Sequence, residues 1–152
     1  MFDESLKEGE SGEHVVWNLL QNQKNIRSIV DVRKDKKFQE KDIDFLVENI
    51  SRQFTSIEVK TDFKAHETGN LVYELTTSKH IGCFEKTQAE YIMYYIPADK
   101  VVHMIDVVGL RTYIHKVRPE ERKMGDNATG FLLPLNDLIK AKVIKYTFEG
   151  VM

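Results

Sequence analysis

The sequence predicts an α/β or α+β domain built around a mixed β-sheet, and three observations indicate this fold class. Apolar residues near the N-terminus recur with helical spacing. The segments that follow alternate between polar and apolar residues, as half-buried strands do. In the second half of the chain helical segments alternate with short apolar runs, which gives the order helix, several strands, helix, strand, helix, strand.

The first predicted helix covers residues 12–23, with Ser11 as its N-cap. Glu13, Val16, Trp17 and Leu20 follow the spacing of one helix face, which we expect to pack on the core. A glutamate at the head of this face lies either in an exposed first turn, where the helix dipole favours it, or points into a site.

The remaining elements are predicted from periodicity and turn signals. Strands are expected at 27–33, 42–49, 54–62, 71–75, 91–96, 100–106, 131–135 and 143–148, and helical segments at 85–90, 106–117 and 137–142. A turn of only four residues separates the second and third strands, which indicates a β-hairpin.

The bulk composition limits the class of protein. A chain of 152 residues predicts one domain, residues 1–152, which can bury a core without disulfides. Hydrophobic residues make up 41% and charged residues 30%, as in ordinary globular proteins. The net charge of −2 neither supports nor excludes a nucleic-acid partner, because a local basic patch is sufficient for binding.

The cysteine content and the hydropathy of the chain bear on the cellular compartment in which the protein is expected. Cys83 is the single cysteine, which excludes an intramolecular disulfide and a cysteine-based zinc cluster. The acidic N-terminus lacks the apolar core of a signal peptide, and no apolar run approaches a membrane span. We therefore expect a cytoplasmic protein with no membrane partner.

Charge is concentrated on one face of the predicted hairpin. In its first strand Ile43, Phe45 and Val47 point one way and Asp42 and Asp44 the other. In its second strand Ile57 and Val59 are expected on the apolar face, with Glu58 and Lys60 opposite. If the strands pair with their core faces aligned, Asp44, Glu58 and Lys60 converge.

Such a cluster has a specific chemistry. Two carboxylates in one place raise each other's pKa, and a divalent cation such as Mg²⁺ between them removes that penalty. A lysine beside them can hold or polarise water and offset charge that develops on a phosphoryl group. The combination suits in-line hydrolysis of a phosphodiester. The alternative is a solvated strand face with a cross-strand ion pair, which contributes roughly 0.2 to 1 kcal/mol.

Asp44 in "DFLV", followed by Glu58 and Lys60 in "IEVK", resembles the motif of the PD-(D/E)XK nuclease superfamily, which includes many restriction endonucleases and Holliday junction resolvases. The resemblance covers roughly residues 9 to 116 in element order. It implies a restriction endonuclease-like core, with a central mixed β-sheet flanked by helices, and cleavage of DNA that depends on Mg²⁺ or Mn²⁺.

The resemblance also implies a role for each residue. Asp44 and Glu58 are expected as metal ligands together with the backbone carbonyl of Val59. Lys60 is expected to orient or activate water, and Glu13 to help place a metal or its water. Asp42 remains an alternative to Asp44, because alternation puts both on one face.

Basic residues lie on both sides of the motif in sequence, and phosphate contact is one interpretation of them. Arg33 and four lysines precede it, and Lys64, Lys79 and Lys86 follow it. The residues predicted to contact nucleic acid are Lys34, Lys36, Lys37, Lys41 and Lys86. A charged turn that is merely solvated is the alternative.

The function expected from the sequence is a metal-dependent deoxyribonuclease. The short chain favours a structure-selective enzyme of recombination or repair, similar to Holliday junction resolvases, and a homodimer that presents two sites. One alternative is a non-catalytic module of the same fold that binds nucleic acid or protein. Another is an unrelated α/β interaction module with a charged sheet face.

Overall fold

The computed structural model describes residues 2–76, 81–124 and 127–152, with side chains from residue 12 onward. In these residues the helices are α1 (Phe2–Gln21), α2 (Lys36–Gln39), α3 (Ala65–Thr68), α4 (Cys83–Lys86), α5 (Val107–Val117) and α6 (Leu135–Lys140), with a 3₁₀ turn at Pro97–Asp99. The strands are β1 (Ile26–Asp31), β2 (Phe45–Asn49), β3 (Phe54–Thr61), β4 (Asn70–Thr76), β5 (Tyr91–Ile96), β6 (Val101–Asp106), β7 (Arg122–Lys123), β8 (Thr129–Pro134) and β9 (Ile144–Glu149).

A six-stranded mixed sheet organises the fold, in the order β1-β2-β3-β5-β6-β9. β3 and β5 run parallel, and the other neighbouring pairs run antiparallel. Helices flank this sheet, so the predicted fold class is confirmed, and the architecture is compatible with the expected core. A second sheet of order β4-β8-β7, which the sequence analysis did not predict, packs over part of the first.

Helix α1 covers one face of the large sheet. Val16 and Leu20 are buried against Phe45 and Val47, and the Trp17 and Phe45 rings lie 5.3 Å apart between centroids. The predicted core face of this helix is therefore confirmed. Its predicted start at Ser11 is wrong, because the helix begins at Phe2 and continues through that position.

A glycine sets how closely α1 approaches the sheet. A Cβ atom at Gly12 would overlap the Oγ1 atom of Thr61 at the end of β3. Only a residue without a side chain lets the two backbones come this close. The contact places Glu13, the next residue of α1, near the end of the β2–β3 hairpin.

The β2–β3 hairpin forms as predicted, with Phe45 opposite Ile57 and Val47 opposite Thr55. Its first strand is shorter than expected, because Asp42 lies in a turn with φ of 54° and β2 starts only at Phe45. Ile43 accordingly packs in a separate small cluster. The prediction that Ile43 shares a face with Phe45 and Val47 is therefore wrong.

The other face of the large sheet packs against β4, β8 and helices α4 to α6. Ile92, Tyr94 and Ile96 of β5 belong to this second core. In the parallel register Glu58 lies beside Ile92, and Lys60 lies beside Tyr94. Glu58 and Lys60 thus face the second core, on the opposite side of the sheet from α1. Among the described helices, none has the length and apolar character needed to cross a membrane.

Candidate functional site

Asp44 lies at the end of the hairpin, immediately before β2. Its backbone N–H donates to the Ile57 carbonyl at 2.8 Å, and its Oδ2 accepts from the Val59 N–H at 2.8 Å. The side chain therefore continues the β2–β3 ladder after the strand pairing has ended. Burial raises the pKa of Asp44 to about 6, although the Val59 hydrogen bond opposes the shift.

Glu58 is the most buried carboxylate of the predicted cluster, with a side chain only 8% exposed. Its Oε1 lies 3.8 Å from Lys60 Nζ, and its Oε2 has no hydrogen-bond partner among the described residues. Thr87 lies close by, but its hydroxyl donates to the Asp42 carbonyl at 3.1 Å. Burial raises the pKa of Glu58 to about 7, against the attraction of Lys60.

Lys60 carries the positive charge of the cluster. Burial lowers the pKa of Lys60, but Cys83 and Glu58 raise it by more, so it lies above its ordinary value. Burial raises the pKa of the Cys83 thiol as well. Lys60 opens onto a groove of about 360 Å³ that Cys83 and Lys64 also line. A protonated lysine here can act as a cation but not as a general base.

Asp42 and Asp44 occupy different positions, although alternation could not separate them. Asp42 Oδ1 lies 3.5 Å from Lys86 Nζ. The charges of Asp42 and Asp44 both raise the pKa of Glu58. Asp44 is the better candidate ligand, because it aligns with the Val59 backbone, whereas a lysine already pairs with Asp42.

Glu13 is engaged in an ion pair that the sequence analysis missed. Arg33 Nη1 donates to Glu13 Oε2 at 2.6 Å, and the other edge of the guanidinium binds Asp31. Glu13 still lies close enough to raise the pKa of Asp44. In the sequence, the two-residue spacing of Asp31 and Arg33 along a predicted strand indicates that these side chains share a face. This spacing gives no indication that Arg33 also binds Glu13.

The predicted nucleic-acid contacts divide into two groups. Lys34, Lys36 and Lys37 are exposed around α2, whose N-cap Asp35 accepts from the Lys37 N–H at 3.0 Å. Lys41 is half-buried, and its carbonyl accepts from the Gln88 N–H at 2.9 Å, which ties this turn to the segment after Lys86. Lys79 lies outside the described residues.

Asp44 and Glu58 are the side chains of the predicted site that could hold a divalent cation. In the described ranges no group of three or more His, Cys, Asp or Glu side chains is placed to hold a metal ion. Mg²⁺, however, often takes one or two protein carboxylates and completes its shell with water and phosphate oxygens. Asp44 and Glu58 supply two carboxylates, and the unpartnered Glu58 Oε2 is a buried acceptor that a cation would satisfy.

The backbone geometry makes the Val59 carbonyl the third candidate donor. The N–H and C=O of one strand residue point to the same side, as the paired bonds of an antiparallel ladder require. The Val59 N–H points towards Asp44, so its carbonyl also faces the open end of the hairpin.

A larger apolar groove lies elsewhere, on the α1 face of the sheet. It measures about 510 Å³, and Leu20, Ile57, Met93 and Phe148 are among its lining residues. Its lining contains no charged side chain, so it offers no carboxylate to a metal ion and no cation to a phosphate, although Tyr91 and Tyr146 contribute hydroxyl groups. The hairpin cluster of Asp44, Glu58 and Lys60 is therefore the candidate site.

Comparison of the chain with protein-family models, with curated proteins and with solved structures finds no match.

Proposed function

We propose that this protein is a metal-dependent nuclease that hydrolyses phosphodiester bonds of DNA. The observation that supports it best is the buried pair of carboxylates, Asp44 and Glu58, at one end of a hairpin with protonated Lys60 beside them. A structural role alone leaves the buried Glu58 Oε2 without a partner. Binding of Mg²⁺ or Mn²⁺ would give this oxygen a partner.

Each side chain has a defined task in this proposal. Asp44 and Glu58 hold the divalent ion with the Val59 carbonyl, and the Val59 N–H fixes the orientation of Asp44. When bound, the ion supplies Lewis acidity and an activated water. Lys60 keeps its proton and stabilises the negative charge that develops on the phosphoryl oxygens.

The proposed substrate is DNA, bound through the exposed lysines around α2. These lysines lie a few residues before Asp42 in the chain. The Ile43 N–H donates to the Phe38 carbonyl at 3.1 Å, which joins the residue after Asp42 to helix α2. We propose a structure-selective activity in recombination or repair, similar to that of Holliday junction resolvases, and a homodimer with two sites. Molar mass in solution tests the homodimer.

A second candidate is a non-catalytic module of the same fold that binds nucleic acid or protein. Two ion pairs favour it, because Arg33 neutralises Glu13 and Lys86 neutralises Asp42 without any metal. In this reading the charged residues form a static binding surface.

One experiment separates the candidates. Labelled single-stranded, duplex and branched DNA are incubated with the protein in Mg²⁺, Mn²⁺ or EDTA, and with the Lys60→Ala and Asp44→Ala variants. Asp137→Ala and Lys140→Ala, which change exposed residues of α6, serve as matched controls. Cleavage that requires metal and is lost only in the site variants supports the nuclease.

Two other outcomes contradict it. Binding of DNA without cleavage supports the non-catalytic module. Absence of binding, together with no effect of metal on the melting temperature, supports an unrelated interaction module.

A further inference from the structure

The Arg33 side chain is held on both edges by carboxylates. Its Nε donates to Asp31 Oδ1 at 2.9 Å and its Nη2 to Asp31 Oδ2 at 2.7 Å, which is a bidentate pair. Its Nη1 donates to Glu13 Oε2 of α1 at 2.6 Å. One guanidinium thus links the end of β1 to the helix that covers the sheet.

Further contacts hold the Arg33 backbone and its side chain. The Arg33 N–H donates to Asp31 Oδ1 at 3.0 Å, and the Gln39 side chain donates to the Arg33 carbonyl at 2.7 Å. The guanidinium carbon lies 5.5 Å from the centre of the Phe45 ring, a cation–π distance. Phe45 is fully buried and directly follows Asp44. These contacts therefore hold the Arg33 side chain at this end of the sheet.

The position of Arg33 matters for the charge balance around Asp44. Glu13 and Arg33 are both close enough to shift the pKa of Asp44, in opposite directions. Asp31 and Glu13 both raise the pKa of Arg33, so it remains charged at all accessible pH values. Glu13 consequently has a permanent cationic partner at hydrogen-bond distance, whereas Lys60 lies 3.8 Å from Glu58 Oε1, and Glu58 Oε2 has no hydrogen-bond partner among the described residues.

We propose that Arg33 acts as an internal cation that keeps Glu13 from ligating a divalent ion, so that the site takes one divalent ion, held by Asp44 and Glu58. The inference rests on the cation site of the proposed function, and it concerns the number of ions rather than the reaction. It assigns Arg33 a positioning role and removes Glu13 from the ligand set.

The test counts Mn²⁺ ions bound per chain by calorimetry and by the electron spin resonance signal of free Mn²⁺, without DNA. The wild type is expected to bind one ion. Glu13→Gln is expected to leave its affinity within about twofold, while Asp44→Asn and Glu58→Gln each weaken it by about tenfold or more. Arg33→Met frees Glu13 and is expected to add a second ion.

Arg27→Met is the matched control for Arg33, because Arg27 also belongs to the β1 region but only approaches Glu48 at 3.9 Å. This control is expected to bind one ion. Two ions on the wild type, no ion on the wild type, or a tenfold loss of affinity in Glu13→Gln would each overturn the proposal. A single ion on a folded Arg33→Met variant would overturn it too.

Glu13→Gln decides the question if Arg33→Met fails to fold, as judged by circular dichroism. The DNA cleavage assay is separate from these measurements. A wild type that binds two ions and cleaves DNA refutes this inference alone. A wild type that binds one ion and cleaves nothing refutes the nuclease and leaves this inference standing.

Discussion

Asp44 Oδ2 accepts a hydrogen bond from the Val59 N–H at 2.8 Å, so a side chain takes the place of the next backbone bond in the β2–β3 ladder. This contact holds a largely buried carboxylate against the strand that carries Glu58 and Lys60. It joins the hairpin fold to the candidate site, because the same atoms stabilise the strand end and orient a proposed metal ligand.

Replacement of Asp44 separates these two roles. Asp44→Asn keeps an oxygen that can accept from the Val59 N–H, whereas Asp44→Ala leaves that donor without a partner. Since both variants remove the charge, their difference reports the hydrogen bond, and we expect Asp44→Ala to be less stable than Asp44→Asn by about 1 to 3 kcal/mol. Urea unfolding in EDTA measures it, and equal stabilities would contradict the assignment.

Glu58 makes stability depend on pH in a direction opposite to that of most carboxylates. Its pKa rises from 4.5 to about 7 on folding, so the folded state binds the proton more tightly. The resulting stabilisation is present below pH 4.5 and is lost as the pH rises through about 7. The full change is on the order of 3 kcal/mol.

Asp44, with a pKa of about 6, adds a change of the same sign. Glu58→Gln should therefore flatten the decline in the free energy of unfolding between pH 5 and pH 8. These limits lie about one unit below the pKa of Asp44 and about one unit above the pKa of Glu58. Unfolding is measured in urea with EDTA, and Glu121→Gln, at an exposed position, is the control. An unchanged slope in Glu58→Gln would show that this group is not the source.

Mg²⁺ should stabilise the protein more at high pH than at low pH. The ligands must lose their protons before they bind a cation, and the pKa values of Asp44 and Glu58 are about 6 and about 7. An ion concentration 100 times the dissociation constant adds about 2.7 kcal/mol. Melting temperatures with Mg²⁺ or EDTA on both sides of neutrality measure this. The effect should vanish in Glu58→Gln, and a pH-independent shift would argue against these ligands.

Gly12 permits the close approach of α1 to β3. Gly12→Ala introduces a methyl group that overlaps Thr61 Oγ1, and we expect a loss of about 1 to 3 kcal/mol in the free energy of unfolding. Thr61→Ala removes the obstructing atom, so the double variant should recover most of that loss. If the double variant is as unstable as the sum of the two single variants, the clash is not the cause.

Lys36 and Lys37 should contribute to DNA affinity through charge alone. Both are exposed on α2, a few residues before Asp42 in the chain. Changing both to Glu should weaken binding to every DNA sequence and reduce the slope of log affinity against log salt by about 2. Lys116→Glu with Lys140→Glu is the matched control on other helices. Stabilisation by Mg²⁺ should be unchanged, and salt-independent DNA binding would contradict the interface.

Much of the fold could be predicted from local patterns. The hairpin, its charged face and the core face of α1 depend on residue spacing along single elements, and the structure shows them at Glu58, Lys60, Val16 and Leu20. The second sheet could not be predicted, because β4 pairs with β8 across more than 50 residues of chain. Pairings at such separation leave no local signal.

Within the candidate site, the sequence by itself determined which charged residues share a strand face, since side chains alternate along any strand. Only the tertiary structure separated Asp42 from Asp44, because a backbone φ of 54° at Asp42 takes it out of the strand. Only the tertiary structure paired Glu13 with Arg33, two residues 20 positions apart that meet where α1 crosses the end of β1. Alternation is a property of one element, whereas burial and ion pairing depend on what several elements bring together.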